Sequence, residues 1–153
     1  MTPIIVSQHG NSKTVTAARN IKSGEKILTL KGNIQSFPTK YSIQIGFNTH
    51  LIPISSNPLD TNSIWQYLNH SCSPNAYFNI ENLTLLAKKN ILKGQEINFN
   101  YNTTEYEMAS PFTCYCQSAN CLGTIKGYNY LSYTEKNKIA DSTPQHIIQI
   151  TLK

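Results

Sequence analysis

Three of the four cysteines, Cys114, Cys116 and Cys121, crowd one short stretch, and the fourth, Cys72, lies far upstream. Secreted disulfide scaffolds are usually shorter and denser in cysteine, and no basic-then-apolar leader opens the sequence. The close trio therefore reads as thiolates around a structural metal ion, in a reducing intracellular compartment (cytoplasm or nucleus, with export as an effector also compatible). Structural zinc takes four thiolate or imidazole ligands tetrahedrally, and closely spaced cysteines embrace one ion with little loop-closure entropy. The fold must then bring the trio to a fourth ligand from elsewhere. Cys72 is the remaining cysteine, and His70 is a competing donor.

A chain of 153 residues builds one core, and a domain of this size buries ~70% of its unfolded surface. Runs such as Ile4-Ile5-Val6 and Leu83-Thr84-Leu85-Leu86-Ala87 supply it. No apolar stretch is long enough to span a bilayer, so a soluble protein with no membrane partner is expected. Thirteen basic residues against eight acids leave a net charge of +5. The lysines are scattered, with Lys88-Lys89 the adjacent pair, which fits a solvated surface that favours acidic partners at low salt. With no arginine-rich helix or groove-reading motif, nucleic acid is not expected as the main partner.

Along the chain, short β-branched segments alternate with turn signals. Pro3 to Ser7, Thr14 to Ala17, Ile27 to Leu30 and Tyr41 to Ile45 read as strands. Leu51-Ile52-Pro53-Ile54 contains a proline and is expected at a sheet edge. Ala76 to Ile80 and Leu83 to Ala87 predict a hairpin turning at Glu81-Asn82. One helix is expected over Thr61 to Leu68, capped by Asp60 or Thr61, with Ile64, Trp65 and Leu68 on one face. Ser132 to Pro144 is polar, and the alternation from His146 to Leu152 allows a terminal strand, which could pair between chains, or an exposed tail. The class is mainly β.

Between the helix and the cysteines lie Asn69-His70-Ser71-Cys72-Ser73-Pro74-Asn75 and then Gly94-Gln95-Glu96-Ile97-Asn98-Phe99-Asn100-Tyr101. In this order and spacing the three pieces resemble a SET domain followed by its post-SET zinc motif, the catalytic module of protein-lysine methyltransferases. The resemblance runs from about Ile4 to Leu131. It implies a fold of several small sheets with a knot-like C-terminal segment. The divisions are a SET domain over 1–108, a post-SET zinc-binding segment over 109–131 and a tail over 132–153. Cys72 becomes the fourth zinc ligand beside Cys114, Cys116 and Cys121, tying the C-terminal segment to the centre of the fold.

The same resemblance implies S-adenosylmethionine as methyl donor, held at Asn69, His70, Lys13, Thr14, Tyr101 and Leu122, with Leu122 over the adenine. Tyr101 would orient the substrate amine, Tyr41 would be a second channel tyrosine, and Phe99 would leave room for di- or trimethylation. Tyr128 and Tyr130 would either line the outer lip of the channel or anchor a terminal segment. Two positions depart from the family pattern. Ser12-Lys13-Thr14 stands where a Gly-x-Gly is usual, removing the easy close approach that glycine gives, though Gly10 is near enough to take part of the turn. Asn100 replaces a common aspartate. The substrate would be a lysine of a protein or peptide, histones being the familiar case. A donor-free scaffold that binds a partner is the alternative, and a basic zinc-stabilised nucleic-acid module a more distant one. The insert between Tyr41 and Asn69 is short, so docking is expected along the sheet edge near Ile45 to Ile54 and on the post-SET segment, by strand addition.

Overall fold

The computed structural model describes residues 2–150. Strands β1 (Ile4–His9) and β2 (Ser12–Ala17) form an antiparallel hairpin registered from Ile4↔Ala17 to His9↔Ser12. Gly10, at φ +62°, makes its turn. The β-branched residues Ile4, Val15 and Thr16 suit this pleated surface. Beyond β2, the amide of Ala17 donates to Gln95 (2.9 Å) and that of Ile97 to Val15 (2.8 Å), so the hairpin docks on the segment before Asn98.

Strands β3 (Lys26–Thr29), β8 (Ala76–Asn79) and β9 (Thr84–Ala87) form a second sheet in the order β3-β9-β8, and β4 (Asn33–Gln35), β5 (Ile43–Gly46) and β6 (Thr49–Ile52) form a third in the order β4-β6-β5. The expected hairpin is β8/β9, with Phe78 opposite Leu85 and Leu83 taking the turn at φ 52°. Leu51-Ile52 is not at an edge. The strand ends before Pro53, so the missing proline N–H never enters the ladder, and β6 sits between β4 and β5. The outer side of β5 is already engaged. The Gln44 amide donates to Thr104 (3.0 Å), and His146 Nε2 donates to the Gln44 carbonyl (2.9 Å).

The expected helix shortens to a 3-10 turn at Ile64–Tyr67. Asp60 accepts from the Asn62 amide (3.0 Å) and the Ser63 hydroxyl (3.0 Å), and Ser63 Oγ accepts from the amides of Ile54 and Ser55 (3.2 and 3.1 Å). These side-chain bonds compete with a first α-helical turn. Asp60 thus shapes a turn in place of capping a helix. Trp65, 2% exposed, anchors the segment in the main core and donates Nε1–H to the Lys31 carbonyl (3.0 Å).

The C-terminal part is helical, neither strand nor loose tail. Helix α1 (Tyr133–Lys138) starts with a complete Ser132/Glu135 capping box, and α2 (Gln145–Ile150) buries Ile147 fully. Leu152, the end of the expected alternation, lies outside the described residues.

Gly127 makes a close crossing that positions the site. Its φ is +118° and ψ 168°, its N–H donates to buried Asn102 Oδ1 (3.1 Å), and a Cβ there would stand 2.6 Å from the Tyr106 carbonyl oxygen. That backbone region is open essentially to glycine alone. Gly127→Ala is expected to cost about 3 kcal/mol, to be measured as a shift in denaturant midpoint at unchanged m-value.

Candidate functional site

Strand β7 (Asn69–His70) runs parallel to β10 (Asn98–Phe99), pairing Asn69 with Asn98 and His70 with Phe99. Asn69 Nδ2 donates to the Lys13 carbonyl (3.1 Å) and to Glu96 Oε1 (2.8 Å), clasping β2 and the segment that leads into β10 from one point. The backbone at Lys13 therefore comes close to Asn69 without a glycine. Glu96 is a structural acceptor. Asn100 is structural too: its Oδ1 accepts the Asn102 amide (3.0 Å) and caps the 3-10 turn Tyr101–Thr103.

Tyr101 stands at the centre. Its hydroxyl donates to the Leu68 carbonyl (2.6 Å), and its amide donates to His70 Nδ1 (3.0 Å). With Nδ1 an acceptor, the imidazole hydrogen is on Nε2, 3.3 Å from Cys72 Sγ. Burial holds the His70 pKa down at about 4 and pushes that of the Tyr101 phenol up, with smaller contributions from Glu96 and Tyr41, so both are neutral near pH 7. The Tyr101 ring packs against Phe99 (4.8 Å), His70 (5.3 Å) and Phe112 (5.7 Å).

Two chambers meet at this ring. A wide cleft of about 760 Å³ is lined by Lys13, Tyr67, Asn69, His70, Tyr101 and Phe112 among others. A narrow cavity of about 40 Å³ is lined by Tyr41, Ile43, Trp65, Leu68, Phe99, Tyr101, Glu105 and Met108 among others. Tyr101, Tyr41, Lys40, Gln66, Met108 and Ser110 border both. The Lys13 ammonium lies 5.2 Å from the Tyr67 ring, whose hydroxyl donates to the Ser56 carbonyl.

The structure thus brings Tyr101, Tyr41, Asn69, His70 and Lys13 to the cleft and Phe99 to the cavity. Thr14 and Leu122 line neither, and Leu122 packs beside the cysteines. Tyr128 is buried with Lys136 over its ring (5.0 Å), an anchoring arrangement, and Tyr130 is exposed; neither lines these two walls. Met108, Gln66 and Glu105 are wall residues that no sequence motif singled out.

The sulfurs of Cys72, Cys114, Cys116 and Cys121 all lie within 4.8 Å of one another, and none is in a disulfide. A zinc tetrahedron with Zn–S of about 2.3 Å needs sulfurs roughly 3.8 Å apart, so the four fit one ion after a small contraction. Burial pushes Cys72 up to about 12 and Cys114 up to about 11. Cys116 is held at about 5, because hydrogen bonds led by the Ser118 hydroxyl outweigh its burial. Without a cation the cluster cannot ionise fully, and a divalent ion would compensate the charge. His70 is not a ligand in this arrangement: its Nε2–H faces a ligating sulfur. Asn120 Nδ2 donates to the Cys72 carbonyl (3.1 Å), bracing the cluster against β7.

Comparison with known proteins agrees with this geometry. Residues 12–102, more than half of the chain, match the SET domain family. Over 71 residues the chain is 42% identical to a Saccharomyces cerevisiae histone-lysine N-methyltransferase, H3 lysine-36 specific, covering 42% of this chain and 10% of that protein. Over 63 residues it is 41% identical to the Aspergillus flavus methyltransferase flvH, covering 40% of this chain and 35% of that one. The chain thus spans only a minor part of these relatives. Among solved structures it resembles Arabidopsis thaliana SUVH6 in complex with SAM (TM-score 0.62, 17% identity, 81% of this chain and 33% of that chain). It likewise resembles the methyltransferase domain of human SETMAR (TM-score 0.57, 17% identity, 78% of this chain and 56% of that chain). With its small sheets, its Asn69–His70 strand and Tyr101 between two chambers, the chain belongs to the SET domain family.

Proposed function

We propose that this chain is an S-adenosylmethionine-dependent methyltransferase acting on a lysine amine of a protein or peptide, with Zn²⁺ as a structural ion at Cys72, Cys114, Cys116 and Cys121. The observation that carries the reading is the placement of Tyr101 on the shared wall of a wide polar cleft and a narrow aromatic cavity. A cleft of about 760 Å³ has the size of a small-molecule site, and Asn69, His70 and Lys13 provide polar groups for the donor. When bound there, S-adenosylmethionine supplies an electrophilic sulfonium methyl group.

The chain's own residues do the rest. Trp65, Leu68, Ile43 and Phe99 exclude water from the cavity, and Tyr41 and Tyr101 flank its junction with the cleft. Free lysine has a pKa of ~10.4, and an apolar wall favours its neutral, nucleophilic form. The Tyr101 hydroxyl fixes the amine's direction. Phe99 carries no hydroxyl to crowd the amine, which supports di- or trimethylation. Phe99→Tyr is expected to stop the reaction at fewer methyl groups, read from intact-mass spectra of product peptides.

The name of the Saccharomyces cerevisiae relative makes histone H3 the first substrate to try. Strand addition along β5 is not proposed, because Thr104 and His146 occupy that edge; the rim at Lys40, Tyr41, Met108 and Ser110 is the docking surface. Thiols serving as metal ligands suit a reducing compartment. Calorimetric titration of zinc-loaded protein with S-adenosylmethionine tests the reading: one saturable site at micromolar concentration is expected, and no binding at millimolar donor would favour a donor-free scaffold.

A further inference from the structure

Glu105 is the most anomalous side chain beside the two chambers. It is 6% exposed, it lines the narrow cavity with Tyr41, Phe99 and Tyr101, and neither carboxylate oxygen meets a partner at hydrogen-bond distance and angle among the described residues, the Gln44 amide being spent on the Thr104 carbonyl (3.0 Å) and acting on Glu105 only as a weak dipole. Its backbone is fixed, since its carbonyl accepts the Tyr128 amide (2.8 Å) next to the Gly127 crossing. A buried carboxyl without a partner is costly unless something pairs with it. The cavity it lines is the one in which the proposed function places the amine.

We propose, resting on that function, that the Glu105 carboxylate recognises the substrate ammonium in this cavity and takes one proton from it, leaving the neutral amine. An N–H bond of the ammonium breaks, its electron pair stays on nitrogen, and an O–H bond forms on Glu105. Each methyl transfer releases one proton overall, and the carboxyl returns it to solvent before the next round.

In water this transfer is uphill by about six pKa units, from ~10.4 for lysine against ~4.3 for glutamate. Burial moves the two toward each other, lifting carboxyls and lowering amines by up to about 3–5 units. Burial indeed pushes Glu105 well above the usual carboxylate range, against a smaller downward pull from the Gln44 amide. No cationic side chain forms an ion pair with Glu105 among the described residues. Burial keeps His50 and His146 low, as it keeps the Tyr101 and Tyr128 phenols high. Lys40 is solvent-exposed, its ammonium 5.5 Å from the Tyr41 ring.

The test compares wild type, Glu105→Gln and Glu105→Asp, each zinc-loaded. Methyl transfer is followed from labelled S-adenosylmethionine to a randomised peptide library with a fixed central lysine, from pH 6 to 10, with donor binding measured calorimetrically alongside. The Gln variant is expected to bind donor like wild type and to be about 100-fold slower at pH 7. Its rate should climb roughly tenfold per pH unit, as solvent replaces the missing acceptor. The Asp variant should keep a wild-type-shaped profile at lower rate. Gln and wild-type rates within threefold at every pH, or a deficit independent of pH, would overturn the role of Glu105 alone. Wild type that binds no donor, or methylates nothing in the library, overturns the methyltransferase reading and this role with it.

Thermal melting gives a readout independent of activity. A carboxyl whose pKa rises on folding binds its proton more tightly folded than unfolded, so stability falls as pH climbs past ~4.3. The Gln variant should therefore melt higher than wild type at pH 7 and close to it at pH 4. A pH-independent difference would mean that Glu105 already has a partner, which overturns the proposal.

Discussion

Tyr101→Phe should lower turnover by about 10²–10³-fold while leaving donor affinity within about twofold. The ring stays, so its contacts with Phe99, His70 and Phe112 survive and the wall between the chambers remains closed. What disappears is one hydroxyl, 2.6 Å from the Leu68 carbonyl. That carbonyl then lacks its partner, at about 1–3 kcal/mol, so a lower melting point is also expected. Single-turnover rates and donor calorimetry on the same preparation separate the two effects. An unchanged rate would move the orienting role to another group, Tyr41 being the other tyrosine on the shared rim.

Cys116→Ser should release the metal and loosen the chain beyond Phe112. Cys72, Cys114 and Ile125 form a small buried cluster apart from the main core, with only partly buried neighbours such as Phe112 and Leu122 packed on it. So small a cluster cannot hold the segment by itself. Metal binding at structural zinc sites is folding free energy, on the order of 10 kcal/mol. Loss of one of four ligands is expected to remove ~4 kcal/mol or more of it, about 10 °C in melting temperature. Metal analysis together with proteolysis after residue 112 would register both effects, and full metal retention with unchanged protection would exclude the cluster as a metal site.

The strands with clear alternation were legible from local pattern. Ala76 to Ala87 folds as the hairpin its residues indicate, and the strand segments expected at Pro3 to Ser7 and Thr14 to Ala17 form and pair through the turn at Gly10, a pairing that was not among the expectations from sequence. The Leu51–Ile54 segment misled because its proline lies one residue past the strand, so the rule about proline in sheets applied to nothing. The segment before Asn69 misled for a different reason: Ser63 looks like an ordinary helix residue, yet its hydroxyl serves two distant amides. Helix α1 was legible and missed, since Ser132-Tyr133-Thr134-Glu135 is a capping-box sequence. Glu105 had no local signal at all. Its burial follows from the long-range crossing at Gly127, which no window around residue 105 contains.

The imidazole of His70 touches both halves of the molecule's chemistry, receiving the Tyr101 amide on one nitrogen and facing a cysteine sulfur with the other. The same ring meets Phe112 edge-on (5.8 Å), so one imidazole couples the placement of Tyr101 to the seating of the segment that begins there. On the proposed function, a molecule without that seating would hold Tyr101 out of place, and metal-starved protein would be silent, not promiscuous.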